Sequence, residues 1–599
     1  MAETKAPQMQ ATLGLTGLTS NAMALIAPGA FLWLTFFIQA TAGVAGQPST
    51  APAMWMGIFA ALLLCLATAV AYAEISKLYP GTGSSYYYAE QAMLSKDKAF
   101  KYARLAKFIV GWGSHLYYWV YPGVMVATTG IFVGYVVGFL FPTFLSGSNP
   151  GPLFMALVAI VFSFFVAWIA QKGAGASTAV NLAINVVQIS ALVVFSVLAL
   201  GYRTSHPTGT PALLYDSQTL STYNYQFATA KDGSVMRDAS GTPLPLLDSA
   251  GKQVPFTADY PATDSNGNML THTKASSVVG IHKVSWVFIQ ATVAILILVG
   301  FESVTAMGGE AKNPTKHIPI AVIASLLIQG LFCYLFEYFA ANYFLNSGYT
   351  MQSAAGSAAP IGDMMIIVGD NLLGRGHGKY FMLAEAFTVF LALIGTTLSC
   401  MNTGARVTYA MGKDDEAPEH FGMLHAKSLT PRRAIWTLAC ISAVIGCVAV
   451  SFVFADASAP TDATIAALPH NIFSSFGYPS HDTLVKVPNS LLSITLTSNF
   501  GTFILYGLSC FLCMVAYSKR PDHNFLLHTL IPGFGLVANL ACMAVYVVGP
   551  FFSLGTKMEP LCALGISAVW GAYGAFYFLK SSKKKGKAIL LETKQAVSQ

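Results

Sequence analysis

The sequence predicts an all-α integral membrane protein of twelve transmembrane helices, and three observations predict it. Of its 599 residues, 54% are hydrophobic and only 10% charged, against about 25% charged in soluble proteins. No Lys, Arg, Asp or Glu occurs from Ala6 to Ala73, Phe108 to Gln171, Ala434 to Ala455 or Val487 to Ser518. One bilayer crossing needs only about 20 apolar residues, so several of these runs hold two spans each. Finally, the Lys and Arg residues fall in alternate connections, as the bias of short cytoplasmic loops requires.

Breaks rich in Gly, Pro, Ser and Asn divide the runs into spans near 15–40, 53–79, 105–140, 152–171, 177–201, 284–309, 318–345, 380–412, 433–455, 489–517, 528–551 and 560–579. Met1 to Leu13 has no short apolar core followed by a small-residue cleavage site, so 1–14 reads as a cytoplasmic tail rather than a signal peptide. With that end inside, the inner connections carry Lys77, Lys96 to Lys107, Lys172, Lys312, Lys316, Arg406 to Arg433, Lys519, Arg520 and the tail Lys583-Lys584-Lys585. The opposite segments 41–53 and 142–152 carry no cation. Both termini are expected in the cytoplasm, and the protein in the cell membrane.

The segment 202–283 is the one large piece outside the bilayer. Its turn dipeptides Asp232-Gly233, Ser240-Gly241, Ala250-Gly251 and Asn266-Gly267 separate short apolar runs, which predicts a small β-rich external cap; a plain loop is the alternative. All nine cysteines lie in expected spans. A disulfide framework is therefore not expected, and Cys510-x-x-Cys513 lacks the second pair or His cluster of a metal site. No cofactor and no metal is expected. The net charge of +7 owes much to the lysine tail, which points to anionic lipid headgroups and not to nucleic acid.

Function is read from two helices that look interrupted. Ala27-Pro28-Gly29-Ala30-Phe31 puts a residue without an amide donor beside one without a side chain at mid-span, and Gly300-Phe301-Glu302-Ser303 does the equivalent in the sixth span. A simple kink is the plain reading of Pro28-Gly29. Two interrupted helices five spans apart point instead to a transporter's midplane site, where half-helix amides suit a carboxylate and free carbonyls an ammonium. Glu302 adds an intramembrane carboxylate with no counter-charge nearby in sequence, a functional candidate by default and one favouring an amine or zwitterion.

Three stretches then resemble the amino acid–polyamine–organocation (APC) family of secondary transporters. They are Tyr72-Ala73-Glu74 with Pro80-x-x-Gly83; Gly300-Phe301-Glu302 with Glu310-x-Lys312-Asn313-Pro314 and Ile318-Pro319; and Arg406-x-x-Tyr409-Ala410-Met411-x-x-Asp414 with Thr430-Pro431. The resemblance implies a LeuT-like 5+5 inverted repeat with discontinuous helices one and six, its halves at 15–201 and 284–518, two further helices within 519–580, and a basic tail at 581–599. It implies alternating access, with substrate between Ala27 to Phe31 and Gly300 to Ser303, Phe301 as a gate and Glu302 as a proton-sensing or amine-facing group. Coupling would be to protons or a counter-substrate. Many members carry a G-S-G or G-x-G first break where this chain has Pro28-Gly29-Ala30, and several proton-coupled relatives carry a lysine where Gln188 stands. An amide cannot titrate. A sodium site would draw on Thr396, Thr397 and Ser399, hydroxyls that equally serve helix packing.

Glu74 and Glu310, beside Lys77 and Lys312, read as interfacial groups, His115 as a core or headgroup-level histidine, and Glu337 and Glu385 have no assignable role. The substrate expected is an amino acid, or alternatively a polyamine or amine of putrescine or agmatine type. An ion channel would repeat its carboxylate around a pore. A membrane enzyme would cluster titratable groups at one depth, and the sequence shows no such cluster.

Overall fold

The computed structural model describes residues 9–26, 35–36, 39–40, 50–141, 151–206, 214–216, 219, 221–223, 225–231, 234–254, 279–345, 349, 354, 359–374, 376–451, 489–552 and 558–592. Helices α1 (Leu15–Ile26), α2 (Met54–Leu78), the short α3 (Ser85–Leu94), α4 (Ala103–Tyr118), α5 (Tyr121–Leu140), α6 (Pro152–Ala170) and α7 (Ala174–Ser205) make the first half. The second half holds α8 (Val284–Ala294), α9 (Pro314–Leu327), α10 (Phe336–Phe344), α11 (Pro360–Leu373), α12 (Gly378–Lys413), α13 (Arg432–Ser451), α14 (Asn489–Tyr517), α15 (Ile531–Phe552) and α16 (Met558–Lys585). Among the described residues, ten helices are long and apolar enough to cross a membrane. The spans expected at 15–40 and 284–309 instead begin with shorter apolar helices, Leu15–Ile26 and Val284–Ala294.

Burial ranks these helices. About two thirds of the apolar windows of Gly378–Lys413 and Ser490–Tyr517 are buried, against 17% for Met558–Lys585, so α12 and α14 form the centre and α16 the rim. Small residues permit the closest approaches, as membrane helices without a hydrophobic driving force between them require. At Gly57 of α2 a Cβ would lie 2.8 Å from the carbonyl carbon of Gln290 in α8, so no larger residue fits this crossing. On the rim, α16 is joined to α4 by a reciprocal indole pair: Trp112 Nε1 donates to Trp570 O (2.9 Å) and Trp570 Nε1 to Trp112 O (3.0 Å), with the rings stacked.

Between α7 and α8, β1 (Leu214–Asp216) pairs antiparallel with β2 (Ser221–Tyr223). Three further strand segments close on one another. Ala228 N donates to Leu244 O, Leu244 N to Met236 O and Met236 N to Ala228 O, each at 2.8 Å. Gln226, Leu246 and Val254 repeat the ring one step along. The turns fall at the expected Ser240-Gly241 and Ala250-Gly251, where the glycines adopt φ +82° and +74° and Asp238 and Asp248 each accept two backbone N–H groups. The other two expected turns, Asp232-Gly233 and Asn266-Gly267, lie outside the described residues. The cysteines whose side chains are described are all free.

Candidate functional site

The sixth span breaks where the sequence places Gly300. Helix α8 stops at Ala294, one 3-10 turn follows (Ile295–Ile297), and the chain reaches Gly300 at φ +115° before a second 3-10 segment, Phe301–Glu310. Any side chain at Gly300 would meet both an unfavourable φ and α1, since a Cβ would sit 2.7 Å from Leu25 Cγ. The break therefore lies against α1 at Leu25. Pro28, Gly29, Ala27, Ala30 and Phe31, expected to form the other half of the site, lie outside the described residues.

Neighbouring segments donate to carbonyls of α1 through uncharged groups. Asn185 Nδ2 donates to Ser20 O (2.8 Å), Gln329 Nε2 to Met23 O (3.0 Å), Thr396 Oγ1 to Ala24 O (3.2 Å) and Tyr334 Oη to Ile26 O (2.9 Å). Gln188, fully buried, donates to Asn185 Oδ1 (3.2 Å). Ser399 accepts from Asn181 (2.9 Å), which also donates to Asn21 (2.8 Å), while Thr397 bonds back to Leu393 O within its own helix (2.8 Å).

Glu302 is completely buried, and its hydrogen-bond partners come from other helices as well as from its own break. Tyr118 Oη, from the end of α4, donates to Oε1 (2.9 Å); Tyr506 Oη, from α14, and Gly300 N (3.1 Å) donate to Oε2. The Gly300 amide is shared, reaching Tyr506 Oη as well (3.0 Å). All three donors are neutral. The carboxyl group is thus held between the helix break and two other helices without a cation. Phe301 lies 5.2 Å from the Tyr506 ring and 6.3 Å from that of Tyr72, and the Tyr117 ring lies tilted beside that of Tyr118 at 4.6 Å. The Ser303 hydroxyl is buried and has no hydrogen-bond partner.

Toward the helix ends that carry the cations, the same segment is sealed. Arg406 of α12 makes a two-pronged pair with Glu310 (2.7 and 2.8 Å), the side chains 1% and 4% exposed. Glu310 therefore pairs with Arg406 and not with its sequence neighbour Lys312, because the 3-10 segment turns its carboxylate inward onto α12. Leu13 bonds to Glu310 O and Lys312 N (2.8 and 2.9 Å), Thr82 Oγ1 accepts from Gly309 N (2.9 Å), and Ser84 Oγ meets Thr305 Oγ1 (2.6 Å). Glu74 does meet Lys77 (2.6 Å), and it also faces His528 (3.3 Å). His115 stacks on Trp119 at 4.4 Å as a core histidine. The oxygens of Glu337, and Oε1 of Glu385, have no hydrogen-bond partner.

Tyr118 and Tyr506 are the residues that sequence reasoning missed. Tyr118 sits in the aromatic run Trp112 to Trp119, which reads equally as a membrane aromatic belt, and nothing marks Tyr506 within its charge-free run.

Residues 11–569 match the family described as amino acid permease. The chain is 34% identical over 169 residues to a branched-chain amino acid permease, BcaP, of Lactococcus lactis subsp. cremoris, a match covering 27% of this chain and 32% of that relative. To the Bacillus subtilis branched-chain amino acid permease BcaP it is 22% identical over 439 residues, 71% of this chain and 73% of the relative. To a low-affinity putrescine importer, PlaP, of Escherichia coli it is 22% identical over 373 residues, 62% of each.

Proposed function

Because this chain belongs to the amino acid permease family, we propose that it is a secondary transporter carrying amino acids across the cell membrane by alternating access, with the substrate held between the interrupted first and sixth spans. The observation that carries this reading is the juxtaposition of a left-handed Gly300 and a buried Glu302 with α1 at Leu25. On this reading each half of the chain supplies one interrupted helix, as an inverted 5+5 repeat over 15–201 and 284–518 requires, with α15 and α16 outside it; the described sixth-span break at Gly300 supports it. The basic helix ends face the cytoplasm.

In this mechanism the N-terminal amides of the broken segments take the substrate carboxylate and the unwound carbonyls its ammonium. Phe301, between Tyr72 and Tyr506, is the apolar gate. Glu302 organises the break: it fixes the Gly300 amide and ties the sixth span to the helices bearing Tyr118 and Tyr506. Movement of that span between inward- and outward-facing states exchanges these hydrogen bonds for others. Coupling is by counter-substrate exchange or by protons, with sodium the less favoured alternative.

A polyamine or amine substrate is the second reading, favoured by the lone carboxylate in its ring of tyrosines and by the relative named as a putrescine importer. Purified protein screened by thermal shift against amino acids and amines, then assayed for counterflow in proteoliposomes, decides between them. Stabilisation and saturable counterflow with amino acids support the first; a response to diamines alone supports the second. Unsaturable conductance, or chemical change of the solute, refutes both.

A further inference from the structure

The C-terminal helix ends by folding back on the protein. Gly586, at φ +65°, caps α16 so that Lys587 N bonds Ser582 O (3.0 Å), and the chain then runs beneath the start of α4, where Leu591 N donates to Lys101 O (2.9 Å). Its target is the tight turn after α12. There Asp415 holds φ +62°, a left-handed conformation uncommon outside glycine. Lys585 and Lys587 each pair with the Asp415 carboxylate at 3.1 Å, and Lys587 Nζ also donates to Asp414 O (2.9 Å). Arg104, at the head of α4, is buried between the two partners: it bonds Glu416 (2.6 Å) on one side and Ala588 O (2.8 Å) and Ser582 Oγ (2.9 Å) on the other.

The turn that receives this segment is connected to the seal. Asp414 Oδ2 accepts from Tyr86 Oη and from Lys107 Nζ, both at 3.0 Å. Tyr86 lies in the first turn of α3, two residues beyond Ser84, whose hydroxyl meets Thr305, and four beyond Thr82, which takes the Gly309 amide. Arg406, which holds Glu310, lies two turns up α12 from the same turn.

We propose that residues 582–591 act as a strap which, by holding the 414–416 turn in place, keeps the contact between residues 80–86 and the 305–312 segment of the sixth span closed. Undocking the strap frees Asp414 to swing with its turn, loosens Tyr86, and makes opening of this end easier. The device concerns how readily the seal opens and is independent of which solute the chain carries.

The test is hydrogen exchange, read by mass spectrometry, on the full-length protein in detergent. Lys585→Ala/Lys587→Ala removes two half-exposed ion pairs, and exchange in both 80–86 and 305–312 is expected to rise roughly two- to tenfold. Asp415→Asn, which removes the same charge pairing from the other side, is expected to match it. The charge exchange Asp415→Lys/Lys585→Asp/Lys587→Asp is expected to return exchange to within about twofold of wild type. Faster exchange confined to 582–591, with 80–86 and 305–312 unchanged, overturns the proposal. So does a strap that stays protected in the double-alanine protein, because the lysine pairs would then not be what holds it.

Discussion

Replacing Glu302 by Gln tests whether the carboxylate serves transport or merely fills space. In the structure its two oxygens accept from Tyr118 Oη, Tyr506 Oη and Gly300 N. A glutamine of the same shape keeps one oxygen for Gly300 N and Tyr506, and turns an amide toward Tyr118, whose hydroxyl can rotate to accept. Three charge-assisted bonds worth about 1.5–3 kcal/mol each become neutral bonds worth about 0.5–1.5. That loss, roughly 3–4 kcal/mol, is offset by no longer burying an ionised group, which itself costs several kcal/mol. The net change in stability is therefore expected within about 2 kcal/mol, whereas Glu302→Ala leaves two hydroxyls and an amide unpaired at about 1–3 kcal/mol each, with a cavity besides. Glu302→Gln should elute as a monodisperse peak with an unfolding temperature near wild type, yet exchange substrate at least about tenfold more slowly in proteoliposomes, because hydrogen bonds to the charged form no longer organise the break. Wild-type counterflow at every pH would refute the transport role. An unfolding temperature as low as that of the alanine variant would refute the isosteric argument.

Three further outcomes follow from the geometry. Arg406→Ala and Glu310→Ala should each destabilise the protein by about 3–5 kcal/mol by stranding a buried charge, while the double variant loses less than their sum; additive losses in a thermal-unfolding cycle would contradict the pairing. Gly300→Ala, placed at φ +115° against Leu25, should lose at least about 2 kcal/mol of stability and most substrate binding, and an unfolding temperature unchanged within error would show that the break is not strained. Hydrogen bonds from Lys585 and Lys587 hold the Asp415 carboxyl below its usual range. Such a group contributes stability that is present above its unfolded pKa of about 3.9 and is lost as pH falls through the lowered value. Exchange protection of 582–591 should accordingly be flat from pH 8 down to about 5 and fall only below about 4; loss near pH 6.5 would indicate a histidine instead.

What could be read from the sequence was what one segment decides alone. Span ends follow cations: α2 stops at Leu78 just past Lys77, and α13 starts at Arg432. The sixth break was legible because only glycine tolerates the backbone that Gly300 adopts, and the two hairpin turns because Asp238 and Asp248 each sit three residues before a glycine. The pairing was not legible. Tyr118 and Tyr506 lie 184 and 204 positions from Glu302, and nothing local to either tyrosine tells a ring facing lipid from a hydroxyl donating to a carboxylate. For the same reason Glu310 reads in the sequence as an interfacial group beside Lys312, although Arg406, in another of the matching motifs, is its partner.

The three-cornered ribbon of residues 226–254 closes its backbone pairing on itself, each corner donating to one neighbour and accepting from the other. Within residues 226–254 each corner of the ring already has both neighbours, so the ring itself presents no open rim as a template for another chain. It also makes the segment a natural graft point. A short epitope spliced in at the Gly251 tip, where a side chain would meet nothing within 4 Å, would leave every rung of the ring intact.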